Sequence, residues 1–253
     1  MTSATPASLG DRVVLITGGG RRLGAAIARL LHAEGASLMI HYRSSQAAAV
    51  ALAAELNAAR PGSAASQRAD LRDLGALPGV VAATLAAFGR LDVLINNAST
   101  FYPTPLGEIG AADFDDLIGS NLRAPLFLAQ AAAAELRLRH GLVLNMADIH
   151  AFRPLKRHTV YCIAKAGLVM LTQSLAREFA PQVRVNGIAP GPVLWPEGAM
   201  DRELQARIVE RTALKRMGAP EDVARAALYF VRDAPYVTGQ VLAVDGGRTI
   251  GGL

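Results

Sequence analysis

Seven short apolar runs, separated by longer stretches with the 3.6-residue period of helices, recur through this 253-residue chain. The runs fall at residues 12–17, 37–42, 65–70, 91–96, 142–146, 183–188 and 241–244. The helical stretches lie at 23–33, 46–59, 77–88, 112–136, 159–179, 202–212 and 220–231. Runs so uniformly apolar suit strands buried on both faces, and strict alternation with helices predicts an α/β fold. It is a doubly wound parallel sheet with helices on both faces. No repeat, linker or break in composition divides the chain, so one domain over residues 1–253 is expected, with 1–10 flexible. Ligands of such sheets bind beyond the carboxyl ends of the strands. The irregular stretches 99–110 and 190–200, each following a strand, are therefore candidate site loops.

Composition narrows the function classes. A hydrophobic fraction of 51% against 19% charged residues provides a sizeable core and argues against disorder. Much of that apolar content is alanine, and no stretch approaches the roughly 18 to 20 uninterrupted apolar residues of a spanning helix. The opening Met1-Thr-Ser-Ala-Thr-Pro lacks the basic and apolar regions of a secretory signal, so a cytoplasmic location is expected. A single cysteine, Cys162, excludes an internal disulfide framework and a cysteine-based zinc cluster; no metal is expected. The net charge is +5, but the cations are scattered, and aromatics are only 5%, so no basic aromatic stripe signals nucleic acid. Arg21, Arg22 and Arg43 suit an anionic small ligand; the other arginines read as a solvated surface.

Three motifs carry chemistry. Thr17-Gly18-Gly19-Gly20-Arg21-Arg22-Leu23-Gly24 joins the first strand to the first helix. Glycines there let backbone N–H groups approach a pyrophosphate at a helix N-terminus. The turn alone also fits an ordinary tight connection, and it is not a P-loop, because no Gly-Lys-Ser/Thr follows. The second strand ends in His41-Tyr42-Arg43-Ser44-Ser45, where an NAD-binding fold usually places an acid to accept the ribose hydroxyl. A guanidinium beside hydroxyls makes forked bonds to phosphate instead, so NADP rather than NAD is expected. An ordinary exposed arginine is the alternative. Third, Tyr161-Cys162-Ile163-Ala164-Lys165 sets a phenol and an ammonium on one helix face. The cation favours the phenolate, drawing the tyrosine towards the range of an acid–base catalyst.

Joined to Asn96-Asn97-Ala98, Asn121 and Pro190-Gly191, these motifs resemble the short-chain dehydrogenase/reductase family from Val13 to Val244-Asp245-Gly246-Gly247. The resemblance implies a single Rossmann-like domain, with Tyr161 as proton donor and Lys165 holding the nicotinamide ribose. It implies that Asn121 supports a proton-relay water, that Asp70 and Leu71 line the adenine, and that Asn97, Ala98 and Ser99 back the cofactor. Gly18, Arg21, Arg22, Leu23, His41, Tyr42, Arg43, Ser44, Met146, Pro190 and Gly191 complete the expected NADPH contacts. Homotetramers, through the helices at 112–136 and 159–179, are also implied.

Two departures are informative. Arg22 replaces the usual middle glycine of the turn, and Asp148 replaces the serine thirteen residues before Tyr161. A carboxylate cannot donate to a carbonyl oxygen and would repel a developing alkoxide. Asp148 thus speaks against a plain ketone reductase and suits a substrate with N–H donors or a ring nitrogen that must gain a proton. Its charge also raises a nearby phenol pKa, opposing Lys165. A degraded site is the bland alternative.

With these departures, Gly-Gly-Arg-Arg-Leu-Gly, His-Tyr-Arg-Ser, Asn-Met-Ala-Asp148 and above all Asn-Ala-Ser99-Thr-Phe101-Tyr-Pro-Thr-Pro resemble the pteridine reductases. Asp245-Gly-Gly-Arg248 is similar to bacterial dihydromonapterin reductases. The resemblance implies that Phe101 stacks on a planar pterin, which Arg22, Ser99, Asp148, Tyr161 and Leu194 also contact. A phenylalanine packed under its own loop is the alternative for Phe101. His150 and the Pro192-Val-Leu-Trp195-Pro-Glu197 loop are atypical and leave the pterin side chain (biopterin, monapterin or folate) open. Cys162 reads as core. The expected function is NADPH-dependent reduction of a dihydropterin. A general NADP-dependent carbonyl or 3-oxoacyl reductase is the second reading, and a non-catalytic NADP-binding regulator the third.

Overall fold

A computed structural model describes residues 8–195 and 201–250. Its strands are β1 (Val13–Ile16), β2 (Ser37–Tyr42), β3 (Ala64–Arg68), β4 (Val93–Asn96), β5 (Leu142–Met146), β6 (Arg184–Pro190) and β7 (Val241–Val244). They form one seven-stranded parallel sheet in the order β3-β2-β1-β4-β5-β6-β7. Eight α-helices connect them among the described residues: α1 (Arg22–Ala33), α2 (Gln46–Ala59), α3 (Leu77–Phe88), α4 (Ala111–Ile118), α5 (Ala124–Leu138), α6 (Thr159–Phe179), α7 (Arg202–Glu210) and α8 (Pro220–Leu228).

Alternation along the central strands explains why they are apolar throughout. Val14, Ile16, Leu38, Ile40, Val93, Ile95, Leu142 and Leu144 enter one core with residues of α1, α2 and α8. Their neighbours Leu15, Met39, Leu94 and Val143 enter the opposite core with α3, α5 and α6. Neither face of β1, β4 or β5 meets water. The edge strands β3 and β7 carry half-exposed positions and are correspondingly less apolar.

Three differences from the sequence expectation have physical causes. The stretch expected as one helix at 112–136 is interrupted: a π turn at Gly119–Arg123 separates α4 from α5. Leu117 and Ile118 before it and Leu126 and Leu128 after it keep the stretch apolar, and Pro125 at the start of α5 is the local sign of the break. Leu9, expected in a flexible leader, is buried, and its N–H donates to the Glu34 carbonyl. Finally, α6 is long and apolar enough to span a membrane by length and composition, yet it lays Leu168, Leu175 and Phe179 into the interior.

The order reversal between β1 and β4 opens a crevice at their carboxyl ends. The glycine turn after β1, the 97–110 loop after β4, the 147–158 segment after β5 and the 191–195 loop after β6 all lie beyond that end of the sheet.

Candidate active site

The glycine turn is shaped by close backbone approach. Gly18 has φ +60°, and a Cβ there would stand 3.1 Å from the Ala98 Cα; one on Gly24 would stand 2.5 Å from the Gly18 carbonyl oxygen. Arg22 takes φ +52°, so the usual glycine conformation persists at this position although the residue is arginine. The turn is anchored from both sides. Asn97 N and Ala98 N each donate to Thr17 Oγ1 at 2.9 Å, and Asn97 Nδ2 donates to the carbonyls of Thr17 and Gly18. His41 is buried, with Nδ1 3.3 Å from Gly18 N and Nε2 3.1 Å from the Ala69 carbonyl. Donation by Gly18 N–H fixes Nδ1 as acceptor and Nε2 as donor, a neutral ring. Burial correspondingly lowers its pKa to about 4.

A cavity of about 370 Å³ opens above this turn. Of the residues expected at a cofactor, it brings together Gly18, Arg21, Arg22, Leu23, His41, Arg43, Ser44, Asp70, Leu71, Asn97, Ala98 and Ser99. Tyr42 and Met146 pack in the core instead, because their side chains fall on the buried face of β2 and β5. Gly24, Ser45 and Thr100, from the quoted motifs and site loop, also line it, and Arg72 and Ser120 complete the walls without having been expected. The first turn of α1 carries no acidic residue, and its N-cap Arg21 makes no side-chain cap bond. The start of this helix carries the positive end of its dipole towards the cavity, which suits a ligand's anionic oxygens.

Asp70, just past β3, is gripped by Arg72 through Nη2 to Oδ2 at 2.6 Å and Nε to Oδ1 at 3.0 Å. That bond lowers the Asp70 carboxyl to about 2. The other arm of Arg72 donates to Asp116 Oδ1 of α4 at 2.7 Å.

Asp148 and Tyr161 form the second focus. Asp148 follows β5, and its Oδ1 accepts from His150 N at 2.8 Å, capping the short 3₁₀ turn Ile149–Ala151. Its other oxygen, Oδ2, accepts from Tyr161 Oη at 2.7 Å. Burial, and then the Asp148 charge and bond, push the Tyr161 phenol well above its ordinary value. The expected lowering by Lys165 does not govern the phenol here, because Asp148 is closer and burial is larger. Lys165 lies 5.6 Å from the Tyr161 ring centre, fully buried, and donates from Nζ to the Met146 carbonyl at 2.8 Å. Burial lowers its pKa to about 8, opposed by the Asp148 charge, so the ammonium survives at neutral pH. Asn121 stands on the π turn, where Nδ2 donates to the Thr100 carbonyl at 3.0 Å and Oδ1 accepts from Ser99 Oγ at 2.6 Å.

Phe101 lies beside this pair. Its ring stacks on His158 at 4.6 Å and meets Tyr161 edge-on at 4.8 Å, yet the residue stays 42% exposed. It is therefore not a core phenylalanine under its own loop. His158 was not singled out in sequence; the only signal was its place at the N-cap of the Tyr161 helix. Across the cleft, Arg22 Nη2 donates to the Trp195 carbonyl at 2.7 Å, tying the glycine turn to the loop after β6. Leu194 is half-buried in that loop, whereas Glu197 lies outside the described residues. Pro190 closes β6, and a Cβ on Gly191 would meet Asp245 at 2.6 Å, so this segment hugs β7 rather than the cavity. Cys162 is buried, its Sγ accepting from Leu155 N.

Comparison with known proteins agrees with this arrangement. The family described as enoyl-(acyl carrier protein) reductase matches residues 20–249. Pteridine reductase 1 of Leishmania tarentolae is 38% identical, covering 94% of this chain and 96% of its own. The 3beta-hydroxysteroid dehydrogenase 1 of Eggerthella lenta is 34% identical, covering 96% and 95% respectively. A blue fluorescent protein from a metagenomic library, solved in complex with NADPH, superposes with a TM-score of 0.90 at 34% identity, covering 96% of this chain and 99% of its own.

Proposed function

Since the chain belongs to the short-chain dehydrogenase/reductase family, we propose that it is an NADPH-dependent reductase of pteridines. The observation that carries this reading is the 2.7 Å bond from Tyr161 Oη to Asp148 Oδ2. A reductase of simple ketones needs a donor at this place for the substrate oxygen; here an acceptor stands instead. A flat heterocycle presenting N–H groups meets that acceptor, and its imine nitrogen meets the phenol.

NADPH fits the cavity by three features. The first turn of α1 faces it without an acidic residue or a side-chain cap, for the pyrophosphate. Arg43 and Ser44 line it where a 2′-phosphate would be held. Lys165 is cationic and buried beside Tyr161, for the nicotinamide ribose. When bound, NADPH supplies the hydride that reduces a C=N carbon of the dihydropterin.

The chain's own residues do the rest. Asp148 orients the ring by accepting from its N–H groups, and its charge keeps Tyr161 protonated until the adjacent nitrogen gains electron density. Tyr161 then gives its Oη proton to that nitrogen, and Lys165 offsets the negative charge left on the phenolate. Phe101 is partly open for stacking, while His158 backs it. Ile163 and Met170, one heptad apart on α6, are exposed apolar residues that support a homotetramer assembled through α5 and α6.

The test is NADPH oxidation with dihydrobiopterin, dihydromonapterin and dihydrofolate, set against an acetoacetyl ester. Turnover of a dihydropterin above the ester is expected. Turnover of the ester alone would make this a carbonyl reductase, and tight NADPH binding without turnover would make it a regulator.

A further inference from the structure

We infer that Arg72 is a positioning residue that couples the adenine end of the cofactor cavity to the Asn121 turn beside Tyr161. The inference rests on reading that cavity as a dinucleotide site, and not on the identity of the substrate.

Arg72 belongs to no motif, yet its guanidinium is fully committed. Two nitrogens hold Asp70 and a third holds Asp116. Asp70 and Asp116 are like charges on different elements, so only a cation between them lets both face the same spot. A planar fork serves two carboxylates at once, which a compact ammonium does poorly.

From the Asp116 backbone, polar contacts continue towards Asn121. The Asp116 carbonyl accepts from Ser120 Oγ at 2.8 Å, and that hydroxyl lies 2.5 Å from Thr100 Oγ1. The Thr100 carbonyl accepts from Asn121 Nδ2, and Asn121 Oδ1 accepts from Ser99 Oγ. Ser99 ends the chain at the wall of the cavity. Asp70, Arg72, Ser99, Thr100 and Ser120 all line the one cavity, so a ligand filling its adenine end presses on the first link of this chain. The chain crosses the π turn Gly119–Arg123, an irregularity of a kind frequent at functional sites. Ordering of Asp70 by a bound adenine thereby steadies the turn that holds Asn121.

The test compares wild type with Arg72→Met, Arg72→Lys and Asp116→Ala. It reads the NADPH dissociation constant by fluorescence, amide hydrogen exchange over residues 117–124 with and without NADPH, and kcat at saturating NADPH. In wild type NADPH should slow exchange over the turn. Asp116→Ala should leave the dissociation constant within about twofold, lose the slowing, and lower kcat about fivefold, the range of a modest coupling. Arg72→Met should lose the slowing and also weaken NADPH about tenfold, while Arg72→Lys restores binding but not the slowing. Retention of the slowing in Asp116→Ala, or its absence in wild type, would overturn the inference. Because binding and exchange are read without a substrate, failure of the pteridine reading would appear separately, as a change only in which compound turns over.

Discussion

The two banks of the cleft are built by different means. On the cofactor bank, buried or half-buried side chains of Thr17, His41 and Asn97 bond the backbone of the glycine turn and of the strand ends beside it. On the substrate bank, Phe101 is half exposed and rests on His158, while the loop after β6 is held through the Trp195 carbonyl. A bank held by buried side chains at the sheet's edge tolerates little change without disturbing the sheet. A bank of partly exposed side chains can change its chemistry while the fold stands. The contrast explains how one scaffold serves both a pteridine reductase and a steroid dehydrogenase among its relatives.

Breaking the substrate bank should have the largest effect. Tyr161→Phe removes the proton donor and should lower kcat about a thousandfold, with the melting temperature little changed. Asp148→Ser sharpens the contrast further: pterin turnover should fall about a hundredfold while reduction of a simple carbonyl holds or rises. Unchanged pterin turnover in that variant would remove Asp148 from the mechanism.

The cofactor bank should respond instead in stability and affinity. His41 has a pKa of about 4 when folded, below the ordinary value near 6.5. The unfolded chain therefore binds more protons between those values. The stabilisation from a neutral His41 is complete above about pH 6.5 and is lost as the pH falls towards 4, by about 2 kcal/mol at pH 5 and about 3 kcal/mol in all. Denaturation at pH 7 and pH 5 should show the loss, and His41→Asn should show less of it. Arg43→Ala is the mildest of the four. It should weaken NADPH about tenfold and leave NADH nearly unaffected, as binding titrations would show.

Much of this was legible in the sequence, and the reasons differ by element. The bounds of β2, β5 and β7 agree because turn residues or clear apolar edges flank them. Asp148 and Tyr161 were legible as a departure from a motif thirteen residues long, and the structure brings them into contact. Arg72 was not legible, because its meaning depends on Asp116, 44 residues away on another element. His158 was missed for the same reason, as its partner Phe101 lies in a separate loop. The π turn was hidden because apolar residues crowd both sides of it, so the segment is too rich in them for a slip of phase to stand out. Local patterns report elements, whereas sites assembled across elements report themselves only in space.

Arg22 shows what such an assembly costs. Held at φ +52°, it occupies a conformation that a glycine would adopt more easily by roughly 1 to 2 kcal/mol. The same residue reaches across to the Trp195 carbonyl. Selection for thermal robustness alone would drive this position to glycine, and selection for a shaped pocket would hold it at arginine. Position 22 is thus where laboratory evolution towards a hardier catalyst and towards a broader one should part company.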